Sequence, residues 1–293
     1  IEGTRSDILV SEGEYLYLGQ YKFNLDLEQQ DVPYVRPTDT AKDVIRVKGK
    51  PYTSPNRGDS NYEKHQRAWI ERTQKNFVEQ LTEQYGGWSM GRRKMGTHLM
   101  APWGFLDHTW FNRTYWTYSG TWPGFYLLNR AARTGQLLTV GPERTYALQV
   151  YTSRNLQSPL YSNENNYLLM ADSNSTEPVV GPQTQGTPKG YGFTREKPPV
   201  WYTWTPVCIR AMVLAGDTLF AAGPPDPVDT RNPEAILNGA KGSKLMALNA
   251  ETGSKQAEID LPSAPVFDSL IAADGKLFLC TADGRVLCLG QGD

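Results

Sequence analysis

Histidine and cysteine are scarce in this chain, with three of each among 293 residues. Cys208, Cys280 and Cys288 form no CxxC pair, no adjacent pair and no CxxCH. The usual signatures of structural zinc, thioredoxin-like redox chemistry and attached haem are therefore missing. Each cysteine lies in an apolar, strand-like run, so burial as a small hydrophobe is expected. An excess of charge is missing too: 30 Lys and Arg face 31 Asp and Glu. Binding of nucleic acid or of an anionic membrane surface usually needs a basic surplus. No run reaches the roughly 18 apolar residues of a spanning helix. Neither GxGxxG nor a Walker pattern occurs, so a nucleotide enzyme is not expected.

Breakers and rings are plentiful. The 27 glycines and 20 prolines exceed the roughly 12% of average usage. They accompany 16 tyrosines, 8 tryptophans and 9 phenylalanines. Many breakers with many aromatics predict short strands joined by tight turns.

The last third is the most regular. Residues 207–222, VCIRAMVLAGDTLFAA, place a Gly-Asp turn between two apolar runs. Residues 266–289, VFDSLIAADGKLFLCTADGRVLCL, place Asp274-Gly275 and Asp283-Gly284 between three such runs. These are strong hairpin signals. Residues 243–261 read as strand, turn over Asn249–Gly253, strand, with Gly253 supplying the positive φ of the turn. The same form occurs at 5–23, with a turn at Glu12-Gly13, and at 127–151, with turns at Gly135 and Gly141-Pro142. Four hairpin units follow, with turn glycines at Gly13, Gly135, Gly216 and Gly275. Their spacing is irregular, but the last interval shrinks to about 40 residues once 223–242 is taken as a loop, the length of a four-stranded propeller blade. A blade buries its apolar faces only against neighbouring blades, which explains the repetition.

Between the units lie insertions. An insertion over 33–95 begins with a polar, proline-bearing excursion. It continues into an amphipathic helix over about 60–85. Ser60 and Glu63 have the spacing of a capping box, and Gly86-Gly87 stops the helix. Trp69, Ile70, Phe77 and Leu81 fall on its apolar side. That stripe packs on the chain's own sheet or docks a partner. Residues 172–199 and 223–242 read as surface loops.

The densest polar and aromatic stretch is 98–118. It offers Trp103, Asp107, His108, Trp110, Arg113, Tyr115 and Trp116 as a contact surface for a sugar or peptide, with structural packing as the plain alternative. Asp107 beside His108 suggests acid-base work. However, neighbours on a strand face opposite sides, so catalysis there requires a turn. His98 and His108 lie ten positions apart with nothing regular to unite them, and no metal site is expected.

The repeats VLAGDTLFAAG, GSKLMALNAETGSKQAEIDL and IAADGKLFLCTADGRVLCLG resemble the PQQ-like repeats of quinoprotein alcohol dehydrogenase-like β-propellers. Segments 96–120 and 158–173 look like a narrower group, the large PQQ-like repeat proteins of secreted planctomycete type. The resemblance covers 207–289 and, less closely, 96–150. It implies an all-β chain of four-stranded blades, about four of them here, as the C-terminal part of a seven- or eight-bladed ring or as a single propeller over 1–293. It also implies a secreted, periplasmic or envelope location. The last blade ends after its third strand, and the resemblance implies that the missing strand comes from the N-terminal end of the complete chain. In the family repeat a tryptophan docks on the neighbouring blade. Ala247, Asn249 and Gly253 match that repeat, but Ala257 stands at the tryptophan position. For the preceding blade, Trp201 or Trp204 would supply the dock. The vicinal cysteines of the enzymes and a recognisable calcium-ligand set are missing, so PQQ with calcium is not expected. The reading is a non-catalytic binding or assembly module for a protein or carbohydrate partner, including blades on another chain. The alternative is an enzyme, either a PQQ-dependent dehydrogenase or a carbohydrate-active propeller with its site at the axis.

Overall fold

Turn chemistry sets the fold. At Asp274-Gly275 both residues take positive φ, 50° and 71°, as a two-residue type I′ hairpin requires. At Asn249, the side-chain Oδ1 accepts from the backbone N–H of Glu251 and of Thr252, both at 2.9 Å. Gly253 then closes that turn at φ 72°. Gly13 and Gly216 also lie at positive φ. Three of the four expected turn glycines thus sit in turns. Gly135 is the exception. It lies inside a buried strand, and Arg133 takes the positive φ (51°) two residues earlier.

The computed structural model describes residues 8–18, 21–32, 34–35, 92–100, 116–121, 132–149, 167–176, 178–180, 193–195, 198–225 and 239–290. These residues are all-β, and no helix occurs among them. The expected helix over 60–85 lies outside them. The chain forms two compact units. One comprises Ile1–Gln136, Thr152–Asn155 and Asn174–Pro198; the other comprises Leu137–Tyr151, Leu156–Ser173 and Pro199–Asp293.

The first unit holds a three-stranded sheet, β1 (Leu9–Ser11), β2 (Tyr15–Leu18) and β3 (Tyr21–Asn24). A second sheet has β4 (Tyr34–Val35), β5 (Arg92–Met100), β6 (Trp116–Thr121) and β7 (Thr134–Gly135) in chain order. Tyr17, Val32, Met95 and Met100 form one core cluster. The stretch 172–199 carries a hairpin, β11 (Pro178–Val180) with β12 (Phe193–Arg195), where its composition predicts a loop.

The second unit repeats one pattern. β8 (Leu137–Val140), β9 (Arg144–Gln149), β10 (Tyr167–Ser173) and β13 (Trp201–Thr205) form one antiparallel sheet in that order. β14 (Ala211–Ala215), β15 (Thr218–Gly223), β16 (Ser243–Asn249) and β17 (Lys255–Leu261) form the next. β18 (Pro265–Ala273), β19 (Lys276–Thr281) and β20 (Val286–Leu289) form a third, which has three strands. The first strands of the three sheets are neighbours, with β14 against both β8 and β18. Two cores separate the sheets. One gathers Tyr146, Leu148, Leu169 and Trp201 with Met212, Leu219, Met246 and Leu248. The other gathers Ala211, Ala222, Leu245 and Leu261 with Leu270 and Leu279.

Candidate functional site

Directly opposed residues of an antiparallel pair share a face. In the β18–β20 sheet both faces are apolar. Leu270, Leu279 and Leu287 stand in one row, and the row Ala272, Leu277, Leu289 lies beside it. The leucines of these rows belong to the core shared with β14–β17. The opposite face carries Ile271, Phe278 and Cys288 in one row, with Cys280 opposite Val286 in the next. Here Ile271 is 59% exposed and Val286 68%. The β18 register breaks between Pro265 and Leu270, and Phe267 within the break is 60% exposed.

The cysteines correct the expectation from sequence. Cys280 and Cys288 are exposed and Cys208 is half-buried. The physical reason is alternation: both thiols sit in apolar strands, but on the face away from the core. Charge on this sheet lies at its two hairpin ends: Lys276 beside the β18–β19 turn, on this same face, and Asp283 with Arg285 at the β19–β20 turn. There Arg285 Nε donates to Asp283 Oδ2 at 2.7 Å, and Thr281 Oγ1 donates to Asp283 Oδ1 at 2.6 Å. These bonds, Arg285 first, hold the Asp283 carboxyl down at about 2. Hydrophobic contact, with charged groups at both ends, is the chemistry this face offers.

In the first unit, His98 is fully buried. Its ring stacks on Tyr17 with centroids 3.7 Å apart and 16° between planes. Nδ1 lies 2.7 Å from the Gly96 carbonyl, so that nitrogen carries the proton and Nε2 keeps its lone pair. No hydrogen-bond partner meets Nε2. Burial holds the imidazole pKa down at about 4, with a smaller contribution from the Lys22 charge in the same direction. Burial, and then the Glu12 carboxylate, push the Tyr17 hydroxyl up to about 12. Lys22 Nζ sits 3.5 Å from the centre of the Tyr15 ring. His98 is thus a neutral, stacked core residue. Among the described residues no group of three His, Cys, Asp or Glu side chains is placed to hold a metal ion.

Arg133 is buried as well. Its Nη1 donates to the Asn174 carbonyl at 3.0 Å, and its guanidinium lies 5.5 Å from the Tyr118 ring centre. Nothing in the sequence marked this residue, because a buried arginine needs partners that only tertiary structure supplies.

Of the two dock candidates, Trp201 makes the contact. Its Nε1–H donates to the Ala250 carbonyl at 2.9 Å, in the turn of the next sheet. A Cβ on Gly253 would lie 2.5 Å from Trp201 Cε3. Trp204, three residues on, packs instead with Ala147, Leu168 and Met170.

Trp116 is the one described member of the expected contact stretch. It is half-buried in β6, opposite Gly135. Trp103, Asp107, His108, Trp110, Arg113 and Tyr115 lie outside the described residues, as do Trp69, Ile70, Phe77 and Leu81 on the expected helix. Sequence reasoning missed the outer face of β18–β20. The signal was present in LIAADGKLFLC, which is apolar at alternate and at intervening positions, as in a strand covered on both sides. No protein-family model matches the chain, and no curated protein does.

Proposed function

We propose that this chain is a non-catalytic β-propeller segment that serves as a binding and assembly module, secreted or held at the cell envelope. Three features support the reading. The sheets are antiparallel meanders stacked face to face. Their first strands are adjacent, as around an axis. A tryptophan of one sheet docks on the turn of the next. The location rests on the sequence resemblance. No quinone or calcium enters the reading.

The observation that carries the binding role is the outer face of β18–β20. A single exposed isoleucine or valine is ordinary, but a run of them on one face marks a contact surface. The partner best matched to an apolar sheet face with its charges at the ends is another β-sheet, packed about 10 Å away.

Native mass spectrometry with thiol labelling tests this. The chain of 32.8 kDa is expected to run as a larger assembly, with Cys280 and Cys288 slow to alkylate. The double variant Ile271→Asp, Val286→Lys is expected to run as a monomer in which both thiols react quickly. A wild-type monomer with both thiols reacting at the variant's rate would overturn the reading.

A further inference from the structure

The two sheet–sheet junctions of the second unit are built on the same row of side chains. In the first junction the row runs Tyr146, Ala171, Trp201 across β9, β10 and β13. In the second it runs Phe220, Ala247, Ala257 across β15, β16 and β17. Each row begins with an aromatic residue on the second strand. It then crosses an alanine on the third strand and ends on the outermost strand. Both rows face the following sheet, since Tyr146, Ala171 and Trp201 belong to the core shared with β14–β17, and Phe220 to the core shared with β18–β20.

The rows differ at their last member. Where the first carries an indole, the second carries a methyl group. The Trp201 ring fills its junction, 6.0 Å from the Tyr146 ring centre at 41°. The second junction instead leaves an open groove of about 260 Å³ at the matching place, with Ala257 and Ile259 exposed along it. Phe220, Ala247 and Ala257, the whole row, line it, and Leu277 and Leu289 form its facing wall on the third sheet.

A groove of this size has room for a flat ring, since roughly 150 Å³ already admits benzene. The lining is almost wholly apolar, so water gains few hydrogen bonds there. The one charged lining residue is Glu258. Its carboxylate is already held by Lys244 Nζ at 2.5 Å and Lys255 Nζ at 2.8 Å. That carboxylate is committed to its own cations, so a neutral ligand suits the site better than a charged one.

We infer that this groove is a binding site for a neutral, planar aromatic molecule of indole size, seated where the neighbouring junction places the side chain of Trp201. The template is internal to the chain: the same row, in the same register, already accepts an indole once. The inference does not depend on what covers the outer face of β18–β20.

The test is a titration of the whole chain with indole, followed through methyl resonances in the NMR spectrum. Saturable shifts are expected at Leu245, Ile259, Leu277 and Leu289, while Leu148 and Leu219 in the Trp201 junction stay still. Ala257→Trp is expected to abolish the shifts and raise Tm by covering the groove. Ala257→Phe, a smaller change, is expected to weaken binding at least tenfold. A saturated alcohol of similar bulk, decahydro-2-naphthol, is expected to bind at least tenfold more weakly than indole. The site would be overturned if no lining methyl moved up to the solubility limit of indole, or if the shifts persisted in folded Ala257→Trp. Equal binding of the saturated alcohol would overturn its aromatic character.

Discussion

The indole N–H of Trp201 reaches across a sheet junction to the carbonyl of Ala250, 2.9 Å away. The ring lies against Gly253, whose φ is 72°. The two positions are coupled, because a side chain at Gly253 would enter the space of the ring. Trp201→Ala is expected to cost about 3–5 kcal/mol. Gly253→Ala is expected to cost more than about 1 kcal/mol, from the positive φ and the clash together. The double variant is expected to lose less than the sum, because the clash vanishes with the ring. Urea denaturation of the three variants measures this, and strict additivity would contradict it.

His98 makes stability depend on pH. The folded imidazole takes a proton only near pH 4, whereas an unfolded one does so near 6.5. Between those values the unfolded chain binds the extra proton, so stability rises with pH. The full contribution is present above 6.5 and is lost as pH falls to 4. The loss amounts to about 3 kcal/mol. His98→Gln is expected to flatten that part of the profile. Denaturation midpoints at pH 7, 5.5 and 4 decide it.

Arg133 carries a charge into the core of the first unit. Arg133→Ala leaves the Asn174 carbonyl without its guanidinium donor and is expected to cost about 2 kcal/mol or more. Arg133→Lys is expected to recover less than half of that. An ammonium group lacks both the planar fork and the flat surface that lies against Tyr118. Thermal unfolding of both variants is the measurement.

The Asp274-Gly275 hairpin separates backbone demands from side-chain demands. Gly275→Ala forces a Cβ into φ 71°, at a cost of about 1 kcal/mol, although nothing lies within 4 Å of that Cβ. Asp274→Asn is expected to be neutral, because asparagine tolerates the same region. Calorimetry on the pair distinguishes them.

Local chemistry explains what was legible in the sequence. Asp274-Gly275, Gly216 and Asn249–Gly253 announce their turns because two to five residues contain the whole cause. Gly135 misled for the same reason. Its turn lies at Arg133, where a positive φ at an arginine is held by tertiary ties to Asn174 and Tyr118 that no local sequence shows. The sequence narrowed the docking tryptophan to Trp201 or Trp204, but choosing between them needed the face each takes in β13. The groove beside Ala257 was half legible. The missing tryptophan showed in the repeat, but its empty seat needed the register of β15, β16 and β17. The exposure of Cys280 and Cys288 was not legible, because β18–β20 is apolar on both sides and alternation then points nowhere.

Among the described residues, the three-stranded last sheet is in core contact on one side. Each sheet of the second unit forms from strands that pair in chain order. Stability along such a stack is set by how many flanks each layer shares. In the monomeric variant Ile271→Asp, Val286→Lys, whose outer face is uncovered, amide protons of β19 and β20 should therefore exchange with solvent sooner than those of β15 and β16, with unfolding creeping inward from that end of the stack.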